Sequence, residues 1–275
     1  MDIQNNECGT RNEKQVYKLD MLYNDDIERA IRQTRHYKRD IFDVNYEKPV
    51  ASKAGRISIQ NMTTKEAIFE YASNSKTIAA LNFASYKKPG GGFLTDNKGQ
   101  EESLCKKSTL YNVLSAFTNE YYVPNRMTRF NRGLYSDNLL YSKDIAFFYT
   151  RDYSSFVRCD IITCSAPNFR CATDYGVTRN ECFETLKRRI EFIYEVASNE
   201  DVDTLILGAW GCGAAQCIPS DVAISMFMLL EDYRNQFDDI IFAIPGDITG
   251  EKYSTIEKCF EIQLEEDRIL HRQSY

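Results

Sequence analysis

Two adjacent glutamates, Glu101 and Glu102, are the residues best placed for acid–base chemistry in this 275-residue chain. They open a predicted helix, where unsatisfied backbone N–H groups favour carboxylates, so charge complementarity at a helix end is one explanation of the pair. Neighbouring side chains on a helix point about 100° apart, so one carboxylate could hold a sugar diol while the other faces a scissile bond. A bound ligand that excludes water from Glu102 would favour its protonated form, which could then donate a proton to a leaving alcohol oxygen.

The chain offers few other groups for acid–base or nucleophilic catalysis. Its two histidines, His36 and His271, lie in charged segments that we interpret as helical faces. A Ser-His-Asp or Cys-His site needs a buried, oriented imidazole, and a zinc site needs closely spaced histidines and cysteines. The nine cysteines include no CxxC pair, and we interpret them as reduced thiols. We therefore expect carboxylates as the acid and base, no metal and no cofactor.

Two glycine-rich segments follow predicted strands and precede predicted helices. The first reads LNFASYKKPGGGFL over residues 81–94, and the second reads LGAWGCGAAQCIP over residues 207–219. Consecutive glycines permit positive φ and let backbone N–H groups converge on an anion. Neither segment matches the GxGxxG or GxxxxGK[ST] nucleotide motifs. The two segments together predict a site for a diphosphate ligand.

The overall charge limits the classes of partner. Thirty-four Lys and Arg residues against 40 Asp and Glu residues give a net charge of −6, so the long-range field would repel a general nucleic-acid backbone. A polyanionic ligand must then be held by local donors. The chain contains no apolar run of membrane-spanning length and no signal-peptide pattern. We expect a cytoplasmic, monomeric protein that does not associate with membranes.

Short apolar runs alternate with amphipathic segments from residue 56 onward. The predicted strands are Arg56–Gln60, Thr77–Ala84, Ile145–Tyr149, Cys159–Ala166, Thr204–Gly208 and Ile240–Ile244. The predicted helices are Thr64–Ala72, Glu101–Phe117, Thr178–Ala197, Pro219–Tyr233 and Thr255–Ile269. This order predicts a three-layer α/β/α fold around a mixed, largely parallel sheet. We assign residues 56–275 to that domain and residues 1–55 to a helical N-terminal extension, because Asp25–Asp43 has apolar residues at helical spacing.

The order of motifs between residues 56 and 250, namely LNFAS, PGGGF, QEESL, SAPN and GAWGCG, resembles the bacterial-type poly(ADP-ribose) glycohydrolases. These enzymes form a branch of the macrodomain superfamily. The resemblance implies a macrodomain fold and hydrolysis of the ribose–ribose O-glycosidic bonds of ADP-ribose polymers, with release of ADP-ribose. It also implies that the substrate is carried by ADP-ribosylated protein or, alternatively, nucleic acid.

The same resemblance implies roles for individual residues. Glu102 would protonate the leaving ribose oxygen and then activate the attacking water, and Glu101 and Asn82 would hold the adjacent ribose. The two glycine-rich loops would wrap the diphosphate from opposite sides. The implied substrate-binding residues are Asn82, Gly90, Gly91, Gly92, Phe93, Gln100, Gly211, Cys212, Gly213, Ala214 and Ala215.

One departure from the family pattern keeps two other functions open. Ala214 and Ala215 stand where the family commonly has Val-Phe, whose aromatic ring lies against the distal end of the ligand. The smaller residues would open the site to a bulkier group, which favours a hydrolase of single ADP-ribose groups on protein or nucleic acid. The third alternative is a reader that binds ADP-ribose without cleaving it, although a pure binder does not need Glu101 and Glu102. Cys212 has no neighbouring histidine or lysine in sequence, so we interpret it as a buried thiol and not as a nucleophile.

Overall fold

The computed structural model describes residues 9–41, 55–127, 131–246, 250 and 253–262. The strands are β1 Arg35–Lys38, β2 Arg56–Gln60, β3 Ile78–Phe83, β4 Asn138–Phe148, β5 Phe156–Cys164, β6 Thr204–Leu207 and β7 Asp239–Ala243. Within the described residues these seven strands form one sheet in the order β1-β4-β5-β3-β6-β7-β2. Strands β5, β3, β6, β7 and β2 run parallel, whereas β4 is antiparallel to both β1 and β5. The predicted mixed, largely parallel sheet is confirmed.

Helices cover both faces of the sheet. The helices are α1 Arg11–Gln33, α2 Thr64–Tyr71, α3 Gln100–Cys105, α4 Leu110–Ser115, α5 Val123–Asn125, α6 Phe169–Asp174, α7 Arg179–Asn199 and α8 Pro219–Tyr233. Residues 253–262 are also helical. Apolar side chains of α1 to α4 pack on one face, and those of α7, α8 and the 253–262 helix pack on the other. The predicted three-layer α/β/α fold is confirmed.

Strand β3 contributes side chains to the hydrophobic cores on both faces of the sheet. Side chains alternate across a strand, so Ile78 and Ala80 join the core under α1 to α4, and Ala79 and Leu81 join the core under α7 and α8. Both faces are buried, which explains why the strand is a continuous apolar run. Asn82, fully buried near its carboxyl end, is the polar exception.

Helix starts follow local capping chemistry. At α7 the side chain of Thr178 accepts a hydrogen bond from the N–H of Glu181, and the Glu181 side chain accepts one from the N–H of Thr178. This reciprocal arrangement is a capping box. Thr63 and Glu66 form the same arrangement at α2. Helix α8 begins at Pro219, where proline fits the first turn because its missing N–H would have no helical partner.

The prediction of one helix over Glu101–Phe117 is wrong, because α3 and α4 are separated by a turn. Lys107 has φ of 63°, outside the helical range. The carbonyl of Lys107 accepts a 2.8 Å hydrogen bond from the N–H of Phe148, and the N–H of Thr109 donates one of 3.1 Å to the carbonyl of Ala146. Backbone groups that would have continued the helix instead pair with β4.

The N-terminal segment is helical only in part. Helix α1 ends at Gln33, and β1 follows by pairing with β4, so the predicted helix over Asp25–Asp43 is wrong for residues 35–38, and its last two residues lie outside the described residues. His36 accordingly lies half-buried on β1 and not on a helical face, and burial lowers its pKa. His271 and the end of the predicted helix Thr255–Ile269 lie outside the described residues. None of the described helices is long and apolar enough to cross a membrane.

Candidate active site

Three of the segments that carry the sequence motifs follow neighbouring strands. Residues 84–92 follow β3, residues 165–168 follow β5, and residues 208–218 follow β6. Because these strands are parallel and adjacent, their carboxyl ends meet at one edge of the sheet, where open α/β sheets bind ligands. At the base of the two glycine-rich loops, a Cβ atom on Gly208 would lie 3.1 Å from Cζ of Phe83. The first residues of the two glycine-rich loops therefore lie next to each other.

Glu101 is buried beneath this edge, with 3% of its surface exposed. Its Oε2 accepts a 2.7 Å hydrogen bond from the N–H of Ser85. Its Oε1 accepts one of 3.3 Å from Nδ2 of Asn82, which also donates to Oγ1 of Thr163 at 3.3 Å. The side chain is thus held by the last residues of β3 and the loop that follows.

Burial raises the pKa of Glu101 to about 8, since a charged carboxylate loses its hydration there, and the neighbouring charge of Glu102 adds to this effect. The hydrogen bonds from Ser85 and Asn82 act in the opposite direction. At neutral pH Glu101 therefore retains its proton. The adjacent pair of carboxyl groups then carries at most one negative charge.

Glu102 is only partly buried and is tied to the triple glycine. Its Oε1 accepts a 2.7 Å hydrogen bond from the N–H of Gly92, whereas its Oε2 accepts none from the described residues. Gly91 has φ of 56°, and a Cβ there would lie 2.7 Å from Oε1 of Glu102 and 3.0 Å from Oε2 of Glu101. Glycine at position 91 is thus required by conformation and by space, and one oxygen of Glu102 has no hydrogen-bond donor among the described residues.

Gly99, the N-cap of α3, is a site residue that the sequence analysis did not identify. A Cβ at position 99 would collide with Oε2 of Glu102. Its φ of −151° is extended backbone that any residue adopts, so the requirement for glycine comes from the carboxylate alone. A glycine immediately before the QEE motif was the signal available in the sequence.

The side chain of Gln100 forms hydrogen bonds with other parts of the protein. Its Oε1 accepts a 2.8 Å hydrogen bond from the N–H of Phe83, and its Nε2 donates to the carbonyl of Leu81 at 2.8 Å and to Oγ1 of Thr64 at 3.0 Å. These bonds fasten the start of α3 to the end of β3 and to α2. The amide thus fastens the segment that carries the two glutamates, and its predicted contact with substrate stays a prediction.

Two polar groups near Glu101 lack hydrogen-bond partners. Oδ1 of Asn82 and the hydroxyl of Tyr122 are both fully buried and have no partner in the described structure. Burial, and next the charge of Glu101, raise the pKa of Tyr122. Unpaired buried polar atoms are uncommon and need an explanation, for which a functional role is one candidate.

Phe93 connects the triple-glycine loop to the hydrophobic core. Its ring is fully buried and lies 5.1 Å, centroid to centroid, from that of Tyr111. Its N–H donates a 2.9 Å hydrogen bond to the carbonyl of Gly90, and its carbonyl accepts one of 2.5 Å from Nδ2 of Asn12 in α1. The buried ring and the backbone bonds of Phe93 thus connect the glycine loop to the core and to α1, and its predicted contact with substrate stays a prediction.

The second loop is anchored by Trp210. This side chain is fully buried, and its Nε1 donates a 3.0 Å hydrogen bond to the carbonyl of Cys164 at the end of β5. Gly211 has φ of 80°, and a Cβ there would lie 2.9 Å from Cβ of Ala166 and from Sγ of Cys217. Cys212 is buried, as predicted for a packing thiol.

The rim of the second loop is open. Gly213 has no atom within 4 Å of the place a Cβ would occupy, and Ala214 is exposed while Ala215 is half-buried. The carbonyl of Ala215 accepts a 3.3 Å hydrogen bond from the N–H of Arg170, which ties the rim to α6. Among the described residues, no cluster of histidine, cysteine or carboxylate side chains could hold a metal ion.

Comparison with known proteins assigns a family to this arrangement. Residues 2–150, over half of the chain, match the family described as the catalytic domain of microbial-type PARG. No curated protein sequence matches the chain.

Solved structures of bacterial poly(ADP-ribose) glycohydrolases are similar to this chain over most of its length. Poly(ADP-ribose) glycohydrolase from Thermomonospora curvata is 27% identical with a TM-score of 0.81, and the match covers 90% of this chain and 97% of that one. Its complex with the inhibitor ADP-HPD is 28% identical with a TM-score of 0.78, at the same coverage. The enzyme from Deinococcus radiodurans in complex with ADP-ribose is 29% identical with a TM-score of 0.74, covering 87% of this chain and 97% of that one.

Proposed function

The chain belongs to the family of microbial-type PARG catalytic domains and is a poly(ADP-ribose) glycohydrolase, and we propose that Glu102 is its general acid and base. The observation that carries this proposal is the hydrogen-bonding of the carboxylate. Gly92 fixes Oε1 at 2.7 Å, while Oε2 accepts no hydrogen bond from the described residues. One oxygen is therefore held in place and the other is available to the substrate, as a positioned proton donor requires.

The proposed ligand is the terminal ADP-ribose unit of the polymer. Its diphosphate would lie between the two glycine-rich loops, where Gly90, Gly91 and Gly211 have φ of 63°, 56° and 80°. Loops of this conformation can turn backbone N–H groups toward an anion without adding charge. This support suits a chain whose net charge of −6 gives no general attraction for phosphate.

The proposed reaction has two proton transfers. Protonated Glu102 donates its proton to the leaving ribose oxygen as the glycosidic C–O bond breaks, and the bonding electron pair stays with that oxygen. Water then attacks the oxocarbenium-like sugar carbon and returns its proton to the Glu102 carboxylate. One water is consumed and the acid is regenerated. A second carboxylate nucleophile is not required, because the diphosphate of the substrate itself supplies negative charge near the cation.

Glu101 would assist without ionising. Its pKa of about 8 keeps it neutral at pH 7, so Glu102 can gain and lose a proton beside an uncharged neighbour. We propose that Glu101 and Asn82 hold the ribose next to the scissile bond. The buried Oδ1 of Asn82, which has no partner in the described structure, supports a polar role for this pair.

The experiment is release of free ADP-ribose from defined poly(ADP-ribose) by the native protein and by Glu102→Gln. We expect turnover to fall by roughly 10³-fold, within the usual contribution of a general acid. Affinity for ADP-ribose should stay within about threefold, because glutamine can still accept the Gly92 hydrogen bond. The matched control is Glu70→Gln, an exposed glutamate on α2, which should retain full turnover. Unchanged turnover in Glu102→Gln would place the acid elsewhere.

The open rim supports a second candidate, hydrolysis of single ADP-ribose groups attached to protein. Exposed Ala214 and the empty space beside Gly213 leave room for a bulky acceptor. The same pair of proteins can be incubated with a mono-ADP-ribosylated protein. Release from this substrate but not from the polymer, again lost in Glu102→Gln, would support the second candidate over the first.

A further inference from the structure

A basic groove lies at the loop that precedes the triple glycine. It has a volume of about 530 Å³ and is lined by Tyr86, Lys87, Lys88 and Arg126. The first three of these residues belong to the loop between β3 and the triple glycine. The groove plays no part in the reaction proposed above.

The three cations of the groove are available to an anion. Within the described residues, no carboxylate lies within ion-pair distance of Lys87, Lys88 or Arg126. Nε of Arg126 donates a 2.5 Å hydrogen bond to the carbonyl of Lys87, and both terminal nitrogens of the guanidinium have no acceptor in the described part of the chain. The three cations form a local positive patch in a chain whose net charge is −6.

Stacked aromatic rings hold this patch in position. The ring of Tyr86 stacks on that of Tyr135, with centroids 4.1 Å apart and an interplanar angle of 17°. Tyr135 is buried, so the stack ties the loop to the core. Nζ of Lys87 lies 5.2 Å from the centroid of the Tyr86 ring. The backbone that carries Lys87 is therefore held in place by packed aromatic rings, which lowers the entropy lost when an anion binds.

The loop that carries the lysines contacts both glutamates. Its residue Ser85 donates its N–H to Glu101, and Gly92 donates its N–H to Glu102. Lys88 stands between these two anchors, four residues before Gly92. A fully extended chain limits the Cα atoms of Lys88 and Gly92 to a separation of about 14 Å. The groove thus lies within reach of a polymer unit joined to the bond that is cut.

We propose that this groove binds the diphosphate of the polymer unit on the leaving-group side of the scissile bond. The proposal rests on the proposed function, because only a polymer presents a second diphosphate. The proposed function assigns the diphosphate of the released unit to the space between the glycines of the two loops. The cations of the groove are additional to those glycines and match the charge of the next unit.

The test is carried out in the Glu102→Gln background, so that binding is measured without turnover. Affinities for defined poly(ADP-ribose) and for free ADP-ribose are compared before and after adding Lys88→Glu. We expect polymer affinity to fall about tenfold, because a charge reversal meets a phosphate, with ADP-ribose affinity unchanged within about twofold. The slope of log K against log salt for the polymer should decrease by ~0.7 for the lost phosphate contact. Retained ADP-ribose binding also shows that the variant is folded.

The matched control is Lys76→Glu in the same background. Lys76 is an exposed lysine that precedes β3, so it lies at the opposite edge of the sheet, and its reversal gives the same change in net charge. Unchanged polymer affinity in Lys88→Glu, or an equal loss in Lys76→Glu, would overturn the proposal. Equal losses for polymer and ADP-ribose would also overturn it by assigning the groove to the released unit. Failure of the native protein to cleave polymer that it binds would instead contradict the proposed function.

Discussion

The backbone N–H of Gly92 donates a 2.7 Å hydrogen bond to Oε1 of Glu102, so the triple-glycine loop and the QEE helix form one structural unit. The carboxylate is oriented by a loop that the proposed substrate also contacts. Any change that moves this loop should therefore alter the position of the acid as well as ligand binding. Substitutions at Gly91 and Gly99 can separate a local effect on Glu102 from a general loss of stability.

Gly91→Ala should impair catalysis more than it impairs folding. A methyl group at position 91 would lie 2.7 Å from Oε1 of Glu102, which must move. We expect turnover to fall at least ~100-fold, because misplacement by about 1 Å has effects of that size. The free energy of unfolding should fall by about 1–3 kcal/mol, since alanine is strained at φ of 56°.

Gly176→Ala is the control for that strain. Gly176 has φ of 71°, but no atom lies within 4 Å of the position that an alanine methyl group would take, so alanine there meets strain without a clash. Stability should fall by about 1–2 kcal/mol with turnover retained. Urea unfolding and ADP-ribose release measure the two quantities, and a parallel loss of turnover in both variants would show that strain alone explains the effect.

Gly99→Ala should move Glu102 without straining the backbone. The new methyl group would collide with Oε2 of Glu102, whereas φ of −151° suits alanine. We expect turnover to fall at least ~10-fold, with the free energy of unfolding changed by less than about 1 kcal/mol. Gly9→Ala, outside the site and with a nearest contact of 3.4 Å for the added methyl group, should leave both quantities unchanged. Full activity of Gly99→Ala would show that Oε2 can turn away without consequence.

Glu101→Gln should flatten the dependence of stability on pH. Native Glu101, with a pKa of about 8, keeps a proton that the unfolded chain releases near pH 4.5. The native state binds more protons in this window, so its stability relative to the unfolded state falls as pH rises from 4.5 to 8. The slope from this one group is at most ~1.4 kcal/mol per pH unit. Glutamine does not titrate, and the unpaired Oδ1 of Asn82 could accept its N–H after a side-chain flip.

Urea unfolding at about pH 5, 6, 7 and 8 measures this effect. The stability of Glu101→Gln relative to the native protein should rise steadily over the series, because other titrating groups contribute equally to both proteins. Glu70→Gln, at an exposed position, should follow the native profile. Parallel profiles for the native protein and Glu101→Gln would mean that Glu101 ionises in the folded state as it does in water.

Gln100→Leu should loosen the start of α3. The substitution removes three hydrogen bonds and leaves the N–H of Phe83 and the carbonyl of Leu81 without these partners. We expect a loss of about 2–4 kcal/mol in the free energy of unfolding and reduced turnover. Gln15→Leu removes one hydrogen bond, to the carbonyl of Cys105, and should cost about 1 kcal/mol. Equal stability losses in both variants would contradict the role assigned to Gln100.

Much of the central fold was predictable because its signals are local. Buried parallel strands such as β3 and β6 are continuous apolar runs, and capped helices such as α7 carry their start signals within four residues. The predicted helix Pro219–Tyr233 coincides with α8. Strand β1 was not predictable in this way, because Arg35–Lys38 is a strand only through its pairing with β4. The turn at Lys107 likewise depends on hydrogen bonds to β4, whose paired residues lie some forty positions away in sequence.

The sequence by itself determined the chemical groups of the proposed site: a carboxylate pair at a helix start, two glycine-rich loops after strands, and too few histidines for most other mechanisms. Residue type and spacing suffice for these features because they depend on covalent chemistry and local backbone geometry. Only the tertiary structure decided which carboxyl group is buried with a raised pKa and which has an oxygen without a hydrogen bond from the described residues. It also decided that Gln100 and Phe93 support the site from within. Burial and hydrogen-bond partners arise from segments distant in the chain, so neither property is encoded at the positions themselves.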